Sequence, residues 1–343
     1  MGGMTYAGAG VNIRDENSAI SAIAEAVGRT LLHRRGKVGE SLTGIGHFSG
    51  LIKINDELAL ALSCDGVGSK IMVAEALGKY DTIGIDLVAM NANDIICVGA
   101  EPLVLLDYLA MEKPDPKITG AIGEGLAKGA ETAGVSIAGG ELATLPEMVK
   151  GLDLAGTMIG SVALDEIIMG NRISEGDIVL GLESSGIHSN GLTLARKTLL
   201  SEYNINDEIF DGRSVGEELL EPTHIYVKEA LSLIKKIDVK GLANITGGGL
   251  ENLTRLTKLG YVIDFLPEPQ AIFKEIQRLG DVSDEEMYRT FNMGIGFTII
   301  VSNEEVDVAI DTLDKMGTKA WAIGRVTKKE GVRVDTSKKF VLK

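Results

Sequence analysis

Leu58-Ala59-Leu60-Ala61-Leu62-Ser63-Cys64-Asp65-Gly66-Val67-Gly68-Ser69-Lys70 is an apolar strand that runs into an acid, two glycines and a lysine. An aspartate at the carboxyl end of a strand can take a hard cation. Glycines beside it admit a phosphate to the backbone, and a lysine offsets the phosphate charge. A plain Asp-Gly turn with a solvated lysine fits the same residues. The flanking sequence has to separate the two.

Working outward, residues 19–32 carry helical spacing, residues 57–63 read as the strand just quoted, and residues 81–98 are helical. Residues 102–110 form a buried strand, residues 116–133 an amphipathic helix, and residues 134–138 and 154–164 two further strands. Strands alternating with helices predict an α/β chain with α+β mixed sheets. At about 150 residues per domain, 343 residues suggest two. The polar run Gly170-Asn171-Arg172-Ile173-Ser174-Glu175-Gly176 separates two apolar segments and places the boundary there. Residues 1–170 are then an N-terminal domain and residues 171–343 a C-terminal one. The second opens with a strand at 178–182, a Ser/Gly loop and a helix from about residue 191, followed by acidic, loop-like sequence over residues 206–222. Strands follow near 294–301 and 321–326.

Composition narrows the function. With 49 acidic against 34 basic residues the net charge is −15, which leaves no broad basic footprint for a phosphate backbone. Nucleic acid is not an expected partner. No apolar stretch nears the ~20 residues of a membrane span, and Asp107 interrupts the longest. Two cysteines, Cys64 and Cys97, read as reduced thiols, so the cytoplasm is the expected compartment. Glycine is the anomaly: 43 residues in clusters, against a usual ~7% of a chain. Yet the Walker pattern and the Gly-x-Gly-x-x-Gly fingerprint are both missing, and so is any Cys-x-x-Cys.

Three more stretches carry chemistry. In Asp86-Leu87-Val88-Ala89-Met90-Asn91-Ala92-Asn93-Asp94, helical geometry puts Asp86 and Asn93 about 20° apart, with Asp94 about 80° from Asp86. Three hard-oxygen side chains on an apolar helix suit Mg²⁺. Gly139-Gly140-Glu141 again places an acid after glycines at the end of a strand. Acids gathered at neighbouring element ends repel one another unless a cation sits among them. In the second half, Ser184-Ser185-Gly186-Ile187-His188-Ser189-Asn190-Gly191 joins a strand to a helix. Its hydroxyls, imidazole and free amides suit an anion, although Ser189 or Asn190 could equally be a plain helix cap. Thr246-Gly247-Gly248-Gly249 repeats a phosphate-ready geometry.

These runs, in this order, together with Tyr80–Met90, Gly99–Leu103, Pro222-Thr223 and Glu286-Met287-Tyr288-Arg289-Thr290-Phe291-Asn292, resemble the phosphoribosylformylglycinamidine cyclo-ligase family, the aminoimidazole ribonucleotide synthetases. The resemblance implies a two-domain fold whose N-terminal domains pair into a barrel across a homodimer. It implies ATP and Mg²⁺ bound without a P-loop, and formylglycinamidine ribonucleotide as substrate. By motif match, Asp65, Asp94 and Asn93 become the metal residues. The nucleotide set is Gly46, Gly66, Gly68, Lys70, Asp94, Gly139, Gly140, Glu141, Thr246, Gly247 and Gly248. Ser184, Ser185, His188 and Asn190 face the substrate, with His188, Lys70 and Asp65 as the catalytic set. Two departures stand out: the family's Gly-Gly-Phe-Gly-Gly loop is here Gly46-His47-Phe48-Ser49-Gly50, and Asn244 stands where bacterial members carry a histidine. Selenophosphate synthetase, a superfamily relative, needs a reactive cysteine near that loop, and residues 45–50 have none. A thiamine-monophosphate kinase would lack the signature at residues 286–292. A non-catalytic nucleotide-binding subunit would tolerate loss of Asp65 or Asp94.

Overall fold

A computed structural model describes residues 3–10 and 13–342; Met1 and Gly2 of the opening Met1-Gly2-Gly3-Met4 lie outside them. The first half contains α1 (Ile13–Gly28), β1 (Glu40–Ser41), β2 (Gly50–Lys53) and β3 (Leu58–Gly66), then α2 (Ile71–Leu77) and α3 (Ile83–Ile96). It continues through β4 (Glu101–Met111), α4 (Pro116–Ala133), β5 (Ser136–Thr144) and β6 (Leu152–Ala163). The strands form one six-stranded sheet in the order β1-β2-β3-β6-β4-β5, antiparallel except for the parallel pair β4–β5. The helix expected over 116–133 is α4 itself. Asp115 caps it by accepting from the Lys117 amide, Pro116 opens it, and Gly134 ends it in the left-handed region.

α3 lies along one face of this sheet and is buried almost throughout. It can press against α4 because a side chain at Gly84 would lie 2.3 Å from the Leu126 amide nitrogen. The opposite face is different: Leu103, Leu106, Tyr108 and Leu142 are each more than 40% exposed there. A sheet face so apolar and so open is uncommon in a monomer.

The second half runs through β7 (Ile178–Glu183), α5 (Leu192–Leu199), the small hairpin β8 (Glu208–Phe210) and β9 (Arg213–Ser214), α6 (Val215–Leu219), α7 (Val227–Ile234), β10 (Gly241–Asn244) and β11 (Gly260–Ile263). After these come α8 (Ala271–Gly280), α9 (Asp284–Thr290), β12 (Ile295–Val301), α10 (Val306–Lys315), β13 (Ala320–Thr327), β14 (Gly331–Asp335) and β15 (Lys339–Leu342). Seven strands form a mixed sheet, β10-β12-β7-β13-β11-β14-β15. β12 is buried at every position, so both faces of this sheet are covered. The segment 3–10 packs here and not on the first sheet: the Met4 amide donates to the Gly280 carbonyl, and the Tyr6 amide to Glu286 Oε1.

Three expectations change. The first helix runs 13–28 and tightens into a 3₁₀ turn, Arg29–Arg34. The acidic stretch after residue 206 is a short hairpin and helix where a loop was expected. Gly139-Gly140-Glu141 does not end a strand but sits in the middle of edge strand β5.

Candidate functional site

The polar stripe of α3 divides into two jobs. Asp86 and Asn93, two turns apart, form the seam between the halves. Asp86 Oδ1 accepts from Lys70 Nζ at 2.8 Å, from the Thr223 amide at 2.8 Å and hydroxyl at 2.6 Å, and from Ser189 at 3.3 Å. Lys70 also donates to the Glu221 carbonyl at 2.5 Å, and neither member of the ion pair is exposed at all. Asn93 gives its amide to the His224 carbonyl at 2.8 Å and accepts from the Tyr226 amide at 2.9 Å. Two side chains expected at the nucleotide and metal are thus engaged elsewhere in this structure: a buried carboxylate holds Lys70, and both ends of the Asn93 amide bind the backbone of the other half.

Asp65 and Asp94 have the second job. Asp65 is the last residue but one of β3; its amide is donated to Asn91 Oδ1 of α3 at 3.1 Å and its carboxylate accepts from the Gly66 amide at 2.7 Å. Asp94, near the end of α3, accepts from Asn244 at the end of β10, 2.9 Å away. Burial raises both carboxyls, and Asp94 is pushed up to about 7, the charge of Asp65 adding to its burial. Ser49 of the glycine loop donates to the Asp94 carbonyl at 2.7 Å. Beside that loop opens a cleft of about 490 Å³ lined by Thr30, Arg34, Thr43, Gly46, His47 and Ser49. Both ring nitrogens of His47 are buried without a partner, and burial, assisted by Arg255, pulls its pKa down to about 4. Asn244 and Arg255 thus join the acid pair from the second half. Asn244 was visible in sequence as a departure from a motif. Arg255 was not singled out, and its only local signal is a cation six residues after the triple glycine.

Among the described residues no group of three or more His, Cys, Asp or Glu is gathered to hold a metal. A cation at Asp65 and Asp94 would have to take its remaining ligands from phosphate and water, as Mg²⁺ commonly does. Gly46 and Gly68 adopt positive φ with open space on the side a Cβ would occupy.

The two loops of the second half do meet. A Cβ at Gly247 would lie 3.1 Å from Asn190 Oδ1, and Asn190 Nδ2 is buried without a partner. Asn252 steadies the triple glycine by accepting from the Thr246 amide at 2.9 Å. Asn292 steadies the other loop: it accepts from Ser184 Oγ and donates to the Gly186 and Ile187 carbonyls. Ser185 donates to the Pro222 carbonyl.

His188, expected to face substrate, is turned inward. It is 3% exposed at φ 65°, and its Nε2 accepts from the Ser185 amide at 3.2 Å. Burial first, then the charge of Lys70, hold it well below the usual imidazole range, so it is neutral. It shapes the loop from within. Gly140 also has a local reason, since a Cβ there would collide with the Asp107 side chain at 2.3 Å. With Gly139 and Glu141 it lies in an exposed edge strand, so the expected phosphate role of this trio is not supported. Finally, Gly212-Arg213-Ser214-Val215-Gly216 has the spacing of a nucleophile elbow, but Ser214 forms a capping box with Glu217 at the start of α6.

The chain matches two family models: the N-terminal domain of AIR synthase related protein over residues 46–162 and its C-terminal domain over residues 174–337. It is 51% identical over 328 residues to the phosphoribosylformylglycinamidine cyclo-ligase of Methanocaldococcus jannaschii, covering 94% of this chain and 92% of that one. Against the enzyme of the same name from Thermococcus gammatolerans the identity is 49%, over 97% and 98% of the two chains. Among solved structures, thiamine-monophosphate kinase from Stenotrophomonas maltophilia superposes with a TM-score of 0.63 at 19% identity, over 90% of this chain and 96% of that one. Escherichia coli HypE gives 0.63 at 21%, over 83% and 85%. Those two likenesses concern the fold.

Proposed function

The chain belongs to the AIR synthase related protein family, and from that premise we propose its reaction. It is an ATP-dependent carbon–nitrogen ligase that closes formylglycinamidine ribonucleotide to 5-aminoimidazole ribonucleotide, releasing ADP and phosphate, in de novo purine synthesis. The observation that carries this is identity near one half, along nearly the whole length, to cyclo-ligases.

The chemistry follows from a poor leaving group. The γ-phosphoryl group of ATP passes to the formamide oxygen, giving an iminophosphate and ADP. The ribose-linked nitrogen then attacks that carbon, and phosphate leaves with the former formamide oxygen. Asp65 and Asp94 would hold Mg²⁺, which neutralises charge on the phosphates. Gly46, Gly66 and Gly68 bring backbone close to the nucleotide, and Thr246, Gly247 and Gly248 close on it from the second half. Ser184, Ser185 and Asn190 border the substrate, where holding the amidine folded over its own carbon is the main task. Lys70 contributes by fixing Asp86, and hence α3, in place.

The division into residues 1–170 and 171–343 is kept, with the segment 3–10 crossing to the second sheet. A homodimer is part of the same reading: two copies of the open face around Leu106 and Tyr108 would bury each other and close a barrel. Among the described residues no helix is long and apolar enough to cross a membrane, and we place the protein in the cytoplasm.

The test measures ADP release from Mg-ATP with and without formylglycinamidine ribonucleotide, while diazo coupling follows the aminoimidazole product. Matched ADP and product are expected. ADP without product would sink the cyclo-ligase reading.

A further inference from the structure

With Lys70 sealed inside, the phosphates of a nucleotide held by Asp65 and Asp94 still need a cation. Arg255 ends the 3₁₀ turn Gly249–Arg255 that follows the triple glycine. Its guanidinium reaches across to the first half and lies over the ring of Phe48, 4.9 Å from the centroid. The next residue, Ser49, is hydrogen-bonded to Asp94. The arginine is therefore carried to the acid pair by the same loop that touches it. Its field reaches Asp65 and Asp94, opposing the rise that burial gives both carboxyls.

Its side chain is exposed and uncommitted. Arg172, Arg213, Arg278, Arg289 and Arg325 all pair with carboxylates. Among the described residues Arg255 makes no ion pair and donates no hydrogen bond. Five N–H donors in a planar fork are left idle. An aromatic face holds a guanidinium without using any of them. This arrangement suits an anion that arrives with its own oxygens in a fixed geometry, and a phosphoryl group takes such a fork at two points.

We propose that Arg255 is the cation that grips the transferring phosphoryl group, with the ring of Phe48 holding it on station. The proposal rests on the ligase reading above and adds the residue that meets the charge spreading over the equatorial oxygens as the group passes from ADP to the formamide oxygen.

Full-length Arg255→Ala, Arg255→Lys and Asp94→Asn are compared with the unaltered chain, folding being checked by near-UV circular dichroism. Arg255→Ala should lower kcat for ADP release by about 1,000-fold or more, the scale of a lost arginine at such a transfer, with a far smaller change in the KM for ATP. Millimolar guanidinium chloride should restore part of that turnover in Arg255→Ala and none in Asp94→Asn. Arg255→Lys should recover only a minor share, since an ammonium cannot reproduce the fork. Turnover of Arg255→Ala within threefold of the unaltered chain would overturn the proposal, as would a loss that guanidinium does not relieve. Titration calorimetry with the non-hydrolysable analogue AMPPNP separates this from the broader reading. If the unaltered chain binds the analogue but makes no aminoimidazole, the ligase reading fails. If Arg255→Ala instead binds the analogue more than about tenfold more weakly than the unaltered chain, the arginine holds the resting nucleotide rather than the transferring group, and the arginine proposal fails.

Discussion

Asp65 and Asp94 were readable from sequence because their signal is local: a carboxylate closing an apolar strand, and another on an otherwise apolar helix. The settings of Lys70, Asn93 and His188 were not legible. Each belongs to a polar motif, but how it is held depends on residues far along the chain, such as Glu221, His224 and Asn292. His188 supplies a test at this scale. Its folded pKa lies below the ordinary 6.5, so the unfolded chain binds the extra proton first. Its contribution is fully present above about pH 6.5 and is lost as pH falls below that value. His188→Asn keeps a residue that tolerates positive φ and should flatten the decline in urea midpoint between pH 7.5 and 5.5. It should also keep turnover within about tenfold of the unaltered chain, as expected of a side chain that packs and does not transfer protons. A turnover loss of several hundredfold with unchanged acid stability would return the histidine to the chemistry.

At the scale of elements, α4 was legible from end to end because its cap, its opening proline and its closing glycine are all in the sequence. β10, β11, β14 and β15 were not read. They are four or five residues long, and β10 and β11 are buried throughout, so they show no alternation. The closeness of α3 and α4 was likewise hidden, because nothing local says what a glycine will touch. Gly84→Ala should force the helices apart and cost about 3 kcal/mol, at the upper end for overpacking, measured by urea denaturation. Because α3 carries Asp94, turnover should fall with it. A variant as stable as the unaltered chain would mean that the crossing is looser than drawn.

For the whole molecule, two domains with mixed sheets were expected; the structure has a six-stranded sheet, a seven-stranded sheet and a small two-stranded hairpin, and the way the two halves attach was not foreseen. The seam is polar, centred on Asp86, and Thr223 supplies it with two donors. Thr223→Val keeps the shape and removes the hydroxyl, which should cost about 1.5–3 kcal/mol for a bond to a buried charge, read as a lower thermal midpoint. The open face of the first sheet gives an independent forecast. Leu106→Glu with Tyr108→Glu should leave a folded chain that sediments as a monomer, whereas the proposed homodimer predicts a dimer for the unaltered protein. Equal sedimentation coefficients would remove the barrel from the proposal.

The Lys70–Asp86 pair also bears on inheritance. A chain cut near residue 170 would leave one fragment with a charged pair stripped of its cover, and the other with Thr223 and Ser189 reaching for a carboxylate that is no longer there. Neither piece is a module that could be shuffled freely between relatives. A hybrid gene that takes its first half from one organism and its second from another should yield soluble protein only when positions 70, 86 and 93 are matched to 189, 221 and 223–226. The seam makes the two sheets a single heritable unit.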